Sequence, residues 1–262
     1  MNRKLIITAD DYGLCRAVND AIEECLMAGT VRATCVMMNM PFYHGAAALR
    51  CRFPHRSVGI HWTLTQGRPI LPAARVSSLV ARDGCFYPPA RFRSRWMRGQ
   101  IRRGELRAEL RAQHERFYAM AGVPDFWNTH QNVHVFPGLF EVCVQLGREL
   151  GIPAMRSHRR LVVPSGTTPA RYHLLHPLYW LKGWMIGRWS DRAEAQGVQM
   201  PDGRVYMPRY AGINAKSLEE VVTRLRWSAV RRAVEVIIHP ATTIQNELFG
   251  GLRESRVLEY QT

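Results

Sequence analysis

Short apolar runs alternate with amphipathic stretches along most of this chain, and few folds accept that pattern. Lys4-Leu-Ile-Ile-Thr8 reads as a buried strand. A helix over 16–28 follows, with Val18, Ile22, Cys25 and Leu26 on one face and Gly29 as its stop. The same logic predicts strands over 34–38, 57–61, 125–129, 154–156 and 234–238. It predicts helices over 45–51, 105–121 and 138–150, and one opened by a Ser217–Glu220 capping box and running to about Arg232. Strands separated by helices pair in parallel, so the expected class is α/β. At 262 residues an irregular, mostly parallel barrel of a single domain (1–262) is the natural architecture, with its active site at the C-terminal strand ends. Residues 165–210 do not fit the alternation and read as an insertion.

Composition narrows the class further. Hydrophobic residues make up 47% and charged residues 22% of the chain, which is ordinary for a globular protein and excludes disordered and fibrous classes. No apolar run approaches the roughly 20 residues of a membrane-spanning helix. The four-residue apolar stretch near the N-terminus is too short for a signal-peptide core. A cytoplasmic protein is therefore expected. The six cysteines form no C-x-x-C pair, which excludes zinc-finger and thioredoxin patterns. The formal charge of +15 points either to an anionic partner or to an arginine-rich composition without functional meaning.

The polar residues that follow the strands carry the chemistry. Asp10 and Asp11 follow the first, His61 ends the third, and His130 comes just after the 125–129 run. Arg156 ends the next short strand and His239 follows the last. In a parallel barrel all these ends meet at one mouth. A single Asp or His at such a place is commonly a turn or cap residue, and a carboxylate pair also suits a helix N-terminus. Five strand ends delivering two carboxylates, three imidazoles and a guanidinium to one mouth are better read as a site. One carboxylate and two histidines suit a divalent ion with open positions. Successive strand side chains diverge, so adjacent aspartates suggest a division of labour between ligand and base.

These blocks resemble a known family. Ala9-Asp10-Asp11-Tyr12-Gly13-Leu14 is similar to the Ala-Asp-Asp-Phe-Gly-Leu opening of the YdjC-like carbohydrate deacetylases, which include chitooligosaccharide deacetylases and hopanoid-associated members. Gly59-Ile-His61-Trp-Thr-Leu-Thr65 with Gly67-Arg68-Pro69 resembles a second block, Thr129-His130-Gln-Asn-Val-His134-Val-Phe-Pro137 a third, and Ile238-His239-Pro240 a late His-Pro. The resemblance implies an irregular β/α barrel that removes an N-acetyl group from an amino sugar with one divalent ion, Mg2+ or Zn2+. It implies Asp11, His61 and His130 as metal ligands, Asp10 as general base and His239 as general acid. It places His134 and Arg156 along the site. Asn128 stands where the family commonly has Asp, Cys15 where Ser is usual, and Ala241 where Gly is usual. The sugar can be a chitooligosaccharide or a lipid-linked N-acetylglucosamine. A hydrolase of another amide, ester or phosphate ester would use the same metal set.

Tyr12 and Trp62 flank the ligands and are candidates to stack on a sugar ring, whereas Phe136 reads as core. No nucleic-acid partner is expected. Residues 171–192, with Trp180, Trp184 and Trp189 at near-helical spacing and flanking cations, read either as a helix packed on the barrel or as peripheral contact with anionic membrane.

Overall fold

The computed structural model describes residues 4–162, 177–206, 214–225, 227–243 and 253–261. Its strands are β1 (Lys4–Tyr12), β2 (Ala33–Val36), β3 (Ser57–Trp62), β4 (Trp127–Thr129), β5 (Arg160–Val162), β6 (Gly203–Tyr206) and β7 (Ala233–Ile238). Its helices are α1 (Arg16–Ala28), α2 (Ala46–Arg52), α3 (Pro89–Met97), α4 (Arg103–Ala121), α5 (Leu139–Glu149), α6 (Pro177–Ala195), α7 (Ala215–Arg224) and α8 (Arg253–Tyr260). The strands form one sheet in the order β4-β3-β2-β1-β7-β6-β5, and every pairing is parallel. The α/β expectation holds.

The sheet closes through the segment that leads into β5. Trp127 donates from its backbone N to Ala154 O at 3.0 Å, and Arg156 N donates to Trp127 O at 3.2 Å. On its other side this segment meets the lead-in to β6, where Met155 N donates to Gln199 O at 2.9 Å. Residues 154–156 thus pair as isolated bridges, and the regular strand begins four residues later. The ring is irregular because its seam to β4 is the single Trp127–Met155 bridge rather than a full ladder. β6 and α6 both arise within 165–210, so part of that stretch builds the sheet rather than interrupting it. Its residues 165–176 and 207–210 lie outside the described residues.

Both boundaries of α7 differ from those the sequence predicts. Ser217 is not the cap of α7. Asn214 is, since its side chain accepts from Ser217 N at 2.9 Å while Ser217 Oγ accepts from Asn214 N at 2.8 Å. The capping box sits one turn earlier than expected. The helix also ends at Arg224 rather than near 232, because Asp202 Oδ2 accepts from the backbone N of Arg231, Arg232 and Ala233 and draws those residues into the start of β7. No helix among the described residues is long and apolar enough to cross a membrane.

The main core lies between sheet and helices. Trp62 and Trp127 meet there with ring centres 5.1 Å apart, both essentially unexposed. α5 approaches this pair at Gly147, where an added Cβ would lie 2.5 Å from the Trp127 indole nitrogen. Alanine in an open helix position is favoured over glycine by about 0.5–1 kcal/mol. Here the buried indole cannot move aside, so the sign reverses. Gly147→Ala is expected to destabilise the fold by about 1–3 kcal/mol, the usual scale of overpacking, and a calorimetric melt should show a lowered Tm.

Candidate metal centre and active site

The site begins with a backbone irregularity. The β1–β2 register slips between Ala9 and Tyr12, and Asp11 adopts φ 73°. On a regular strand Asp10 and Asp11 would point to opposite faces. The bulge turns both carboxylates into the barrel interior, where they are 3% and 1% exposed. Gln131 and Asn132, directly after His130, also have positive φ. Among the described residues these are the three non-glycine positions in that region, and all flank the same cluster.

Asp11 holds the centre. Its Oδ1 lies 3.1 Å from His61 Nε2 and 3.0 Å from His130 Nδ1, and those two ring nitrogens are 3.3 Å apart. Its Oδ2 accepts from Arg256 Nη2 at 2.5 Å. Only Oδ1 is therefore presented to the histidines. Ligand atoms about 2.1 Å from one ion stand roughly 3.0–3.4 Å apart in octahedral or tetrahedral arrangement, and the three measured separations match. All three side chains are buried, and His130 Nε2 has no hydrogen-bond partner in the described structure. This donor set fits a divalent ion. A second grouping, Asp10 with Cys35 and His61, shares His61. It fits less well, because Arg156 occupies both oxygens of Asp10.

Asp10 belongs to a charge network beside this centre. Arg156 donates to its Oδ2 at 2.6 Å and its Oδ1 at 2.7 Å, and the Cys35 thiol donates to Oδ1 at 3.1 Å. Arg156 also grips Glu235 of β7, with Nη2 donating to Oε1 at 3.0 Å. His239 stands at the outer edge with a quarter of its side chain exposed. Its Nε2 is 4.0 Å from Asp10 Oδ2 and its Nδ1 is 3.9 Å from Glu259 Oε2. Glu259 of α8 also accepts from the His239 backbone N and anchors the loop.

Burial opposes ionisation of both aspartates, but the groups facing them outweigh it. Arg156 holds Asp10, and His130 and Arg256 hold Asp11, well below the usual carboxylate range. Burial and the Asp10 charge push the Cys35 thiol up to about 11, so it stays protonated at neutral pH. His61 is held well above its ordinary value against burial. With the thiol neutral, the charge of Asp10 and the hydrogen bond to Asp11 are what retain that proton. Burial, with the charges of His61 and Arg256, pushes His130 down against the pull of Asp11.

Asn128 bridges the two halves. With its carbonyl toward His61 Nδ1, that nitrogen carries a proton, so Nε2, which faces Asp11 and His130, is the atom that would give up its proton to an ion. With the amide rotated, its oxygen instead accepts from Arg156 Nη1 at 2.7 Å and Nη2 at 3.1 Å. An aspartate would accept from both neighbours at once; the rotated asparagine accepts from Arg156 while its nitrogen donates to His61 Nδ1. The departure from Asp at position 128 thereby acquires a physical meaning.

The remaining sequence candidates divide. His134 sits one layer back, with Nδ1 2.6 Å from Thr129 Oγ1 and its ring against Trp127 and His158, and burial keeps it neutral with a pKa near about 3. Tyr12 and Trp62 are not brought to the site. Tyr12 donates to Glu23 of α1 at 2.8 Å, and Trp62 points away from His61 into the outer core, as alternation along β3 requires. Phe136 packs against the core as expected and also lines a cavity of about 440 Å³ beside the His130–Val135 turn. Sequence reasoning misses Cys35, Glu235, Arg256 and Glu259. Glu235 has a visible signal, a lone carboxylate inside the apolar run 234–238; the α8 pair has none.

Known proteins share this arrangement of elements. A family model described as "YdjC-like protein" matches residues 4–262. The chain belongs to the YdjC-like family. This YdjC-like chain is 36% identical over 154 residues to a carbohydrate deacetylase of Danio rerio, covering 58% of the chain and 49% of that relative. It is 39% identical over 157 residues to a carbohydrate deacetylase of Geobacillus stearothermophilus, covering 58% and 59%. The matches thus span about half to three fifths of the length of these relatives. A crystal structure of a candidate cellobiose-phosphate cleavage protein from Enterococcus faecalis superposes with a TM-score of 0.74 at 24% identity, over 100% of this chain and 90% of that one. That likeness supports the fold.

Two outcomes are expected at the metal centre. His61→Ala should lower the bound divalent metal, read by elemental analysis, because it removes one of three converging donors. Ordinary occupancy in that variant would overturn the assignment. Because the raised His61 pKa leaves a proton where an ion would bind, apparent metal affinity should rise with pH through the neutral range. Calorimetric titration in two buffers of different ionisation enthalpy should show net proton release on binding.

Proposed function

We propose that this YdjC-like chain hydrolyses the N-acetyl group of an acetylated amino sugar, giving acetate and a free amine. One observation carries the reading: Asp11, His61 and His130 converge on a point beside an ionised Asp10 and a partly exposed His239, in a chain whose relatives are named carbohydrate deacetylases. The substrate is a chitooligosaccharide or a lipid-linked N-acetylglucosamine.

Asp11, His61 and His130 would hold one divalent ion, Mg2+ or Zn2+. When bound, such an ion supplies Lewis-acid polarisation of an amide carbonyl and acidifies water. The protein's own groups then divide the proton work. Asp10 Oδ2 faces the partly exposed His239 Nε2 across 4.0 Å. In this reading Asp10 takes the proton of the attacking water, and Arg156 with the Cys35 thiol fixes its orientation. His239, steadied by Glu259, hands a proton to the departing nitrogen. Phe136 supplies an apolar wall to the adjoining cavity.

A metal-supplemented screen with mass-spectrometric readout tests the reaction. Acetate and free amine from N-acetylglucosamine oligomers or a lipid-linked acetylated sugar are expected. Phosphate or other acyl products without acetate would sink the assignment. Asp10→Asn should keep its metal yet lose turnover about 10²-fold or more, the usual scale for a general base. Loss of metal with Asp10→Asn would exchange the roles of the two aspartates.

A further inference from the structure

The formal charge of +15 is unevenly distributed. Residues 84–104 hold six arginines and no carboxylate, and residues 150–190 hold five arginines and one lysine and no carboxylate. The fold brings α3 of the first stretch and α6 of the second to one cavity. Arg93 of α3 and Lys182 of α6 both line the 440 Å³ cavity beside the His130–Val135 turn, with Arg204 and no acidic side chain.

Each helix buries one face and exposes the other. α3 buries Phe92 and Trp96 while Arg91, Arg93, Met97 and Arg98 face water. α6 buries Ile186 and Trp189, the latter against Phe140 with ring centres 5.5 Å apart. Leu181, Trp184 and Arg188 form its exposed stripe at i, i+3 and i+7, with Leu181 56% and Trp184 65% exposed. The Arg188 guanidinium lies 6.0 Å from the Trp184 ring centre. The segment 171–192 is therefore not uniformly interfacial. Trp189 is core and Trp184 is surface, while residues 171–176 and the side chain of Trp180 lie outside the described residues.

We propose that the α3–α6 rim docks the protein on an anionic lipid bilayer and presents the cavity beside His130 to the membrane surface. Cations beside exposed indole and aliphatic side chains suit that surface, where aromatics lie at headgroup depth and Lys or Arg meets anionic lipid. A nucleic acid would satisfy the charge but leave Leu181, Trp184 and Met97 in water. Docking of this kind depends on the surface alone, and its readout is binding rather than turnover.

Co-sedimentation of the full chain with phosphatidylcholine vesicles, with and without phosphatidylglycerol, tests it. Retention on the anionic vesicles at low salt is expected, falling about tenfold or more as rising ionic strength shortens the Debye length. Leu181→Ser with Trp184→Ser should lower retention about fivefold, and so should Arg91→Glu with Arg93→Glu and Arg98→Glu. Trp184→Phe keeps an aromatic ring, so it should still sediment yet lose the emission that brominated lipid quenches in the parent protein. Three results would overturn docking: no retention at low salt, retention indifferent to both sets of variants, or quenching unchanged in Trp184→Phe. Binding to a DNA duplex that needs the arginines but ignores Leu181 and Trp184, without vesicle retention, would assign the surface to nucleic acid instead.

Discussion

Two carboxylates buried side by side govern the arrangement of much of the molecule. Asp10 and Asp11 lie deep in the barrel, where an unpaired charge costs several kcal/mol. Each is met by an arginine from a distant part of the chain. Arg156 comes from the segment that closes the sheet, and Arg256 from α8 near the C-terminus. Glu235, from the strand beside β1, takes up the other face of Arg156. Barrel closure, the last helix and the central strands therefore meet in one charge balance. Removing one partner of such a pair leaves a buried charge uncompensated, which typically costs about 3–5 kcal/mol.

The same pairing separates the two aspartates chemically. Arg256 occupies Oδ2 of Asp11, so Oδ1 alone faces the imidazoles. Arg156 meets both oxygens of Asp10 and the Cys35 thiol meets Oδ1, while Oδ2 also faces His239 at 4.0 Å. Neighbours of identical residue type thus acquire different surroundings from one bulge. α8 contributes twice, because Arg256 orients Asp11 and Glu259 anchors the loop of His239. The C-terminal helix acts on the site through these two contacts.

Much of the site is legible in the amino-acid sequence. Asp10, Asp11, His61, His130, Arg156 and His239 each follow or end an apolar run, and a parallel sheet gathers such positions at one end. Trp62 misleads because its proximity in sequence to His61 suggests proximity in space; alternation along β3 sends it to the outer core instead. Arg256 and Glu259 give no signal, because an i, i+3 pair of charged residues on a short helix looks like any solvated face.

The sequence by itself determined the α/β class, the strand ends that carry the polar side chains, and the residue types available there. Those follow from local periodicity, which needs no knowledge of distant contacts. Tertiary structure alone decided which charge faces which carboxylate, where the barrel seam falls, and that one face of α6 is core while the other is surface. These depend on pairings across 146 residues from Asp10 to Arg156 and 245 from Asp11 to Arg256. Electrostatic pairing in a dry interior is set by distance in space, and no local pattern encodes it.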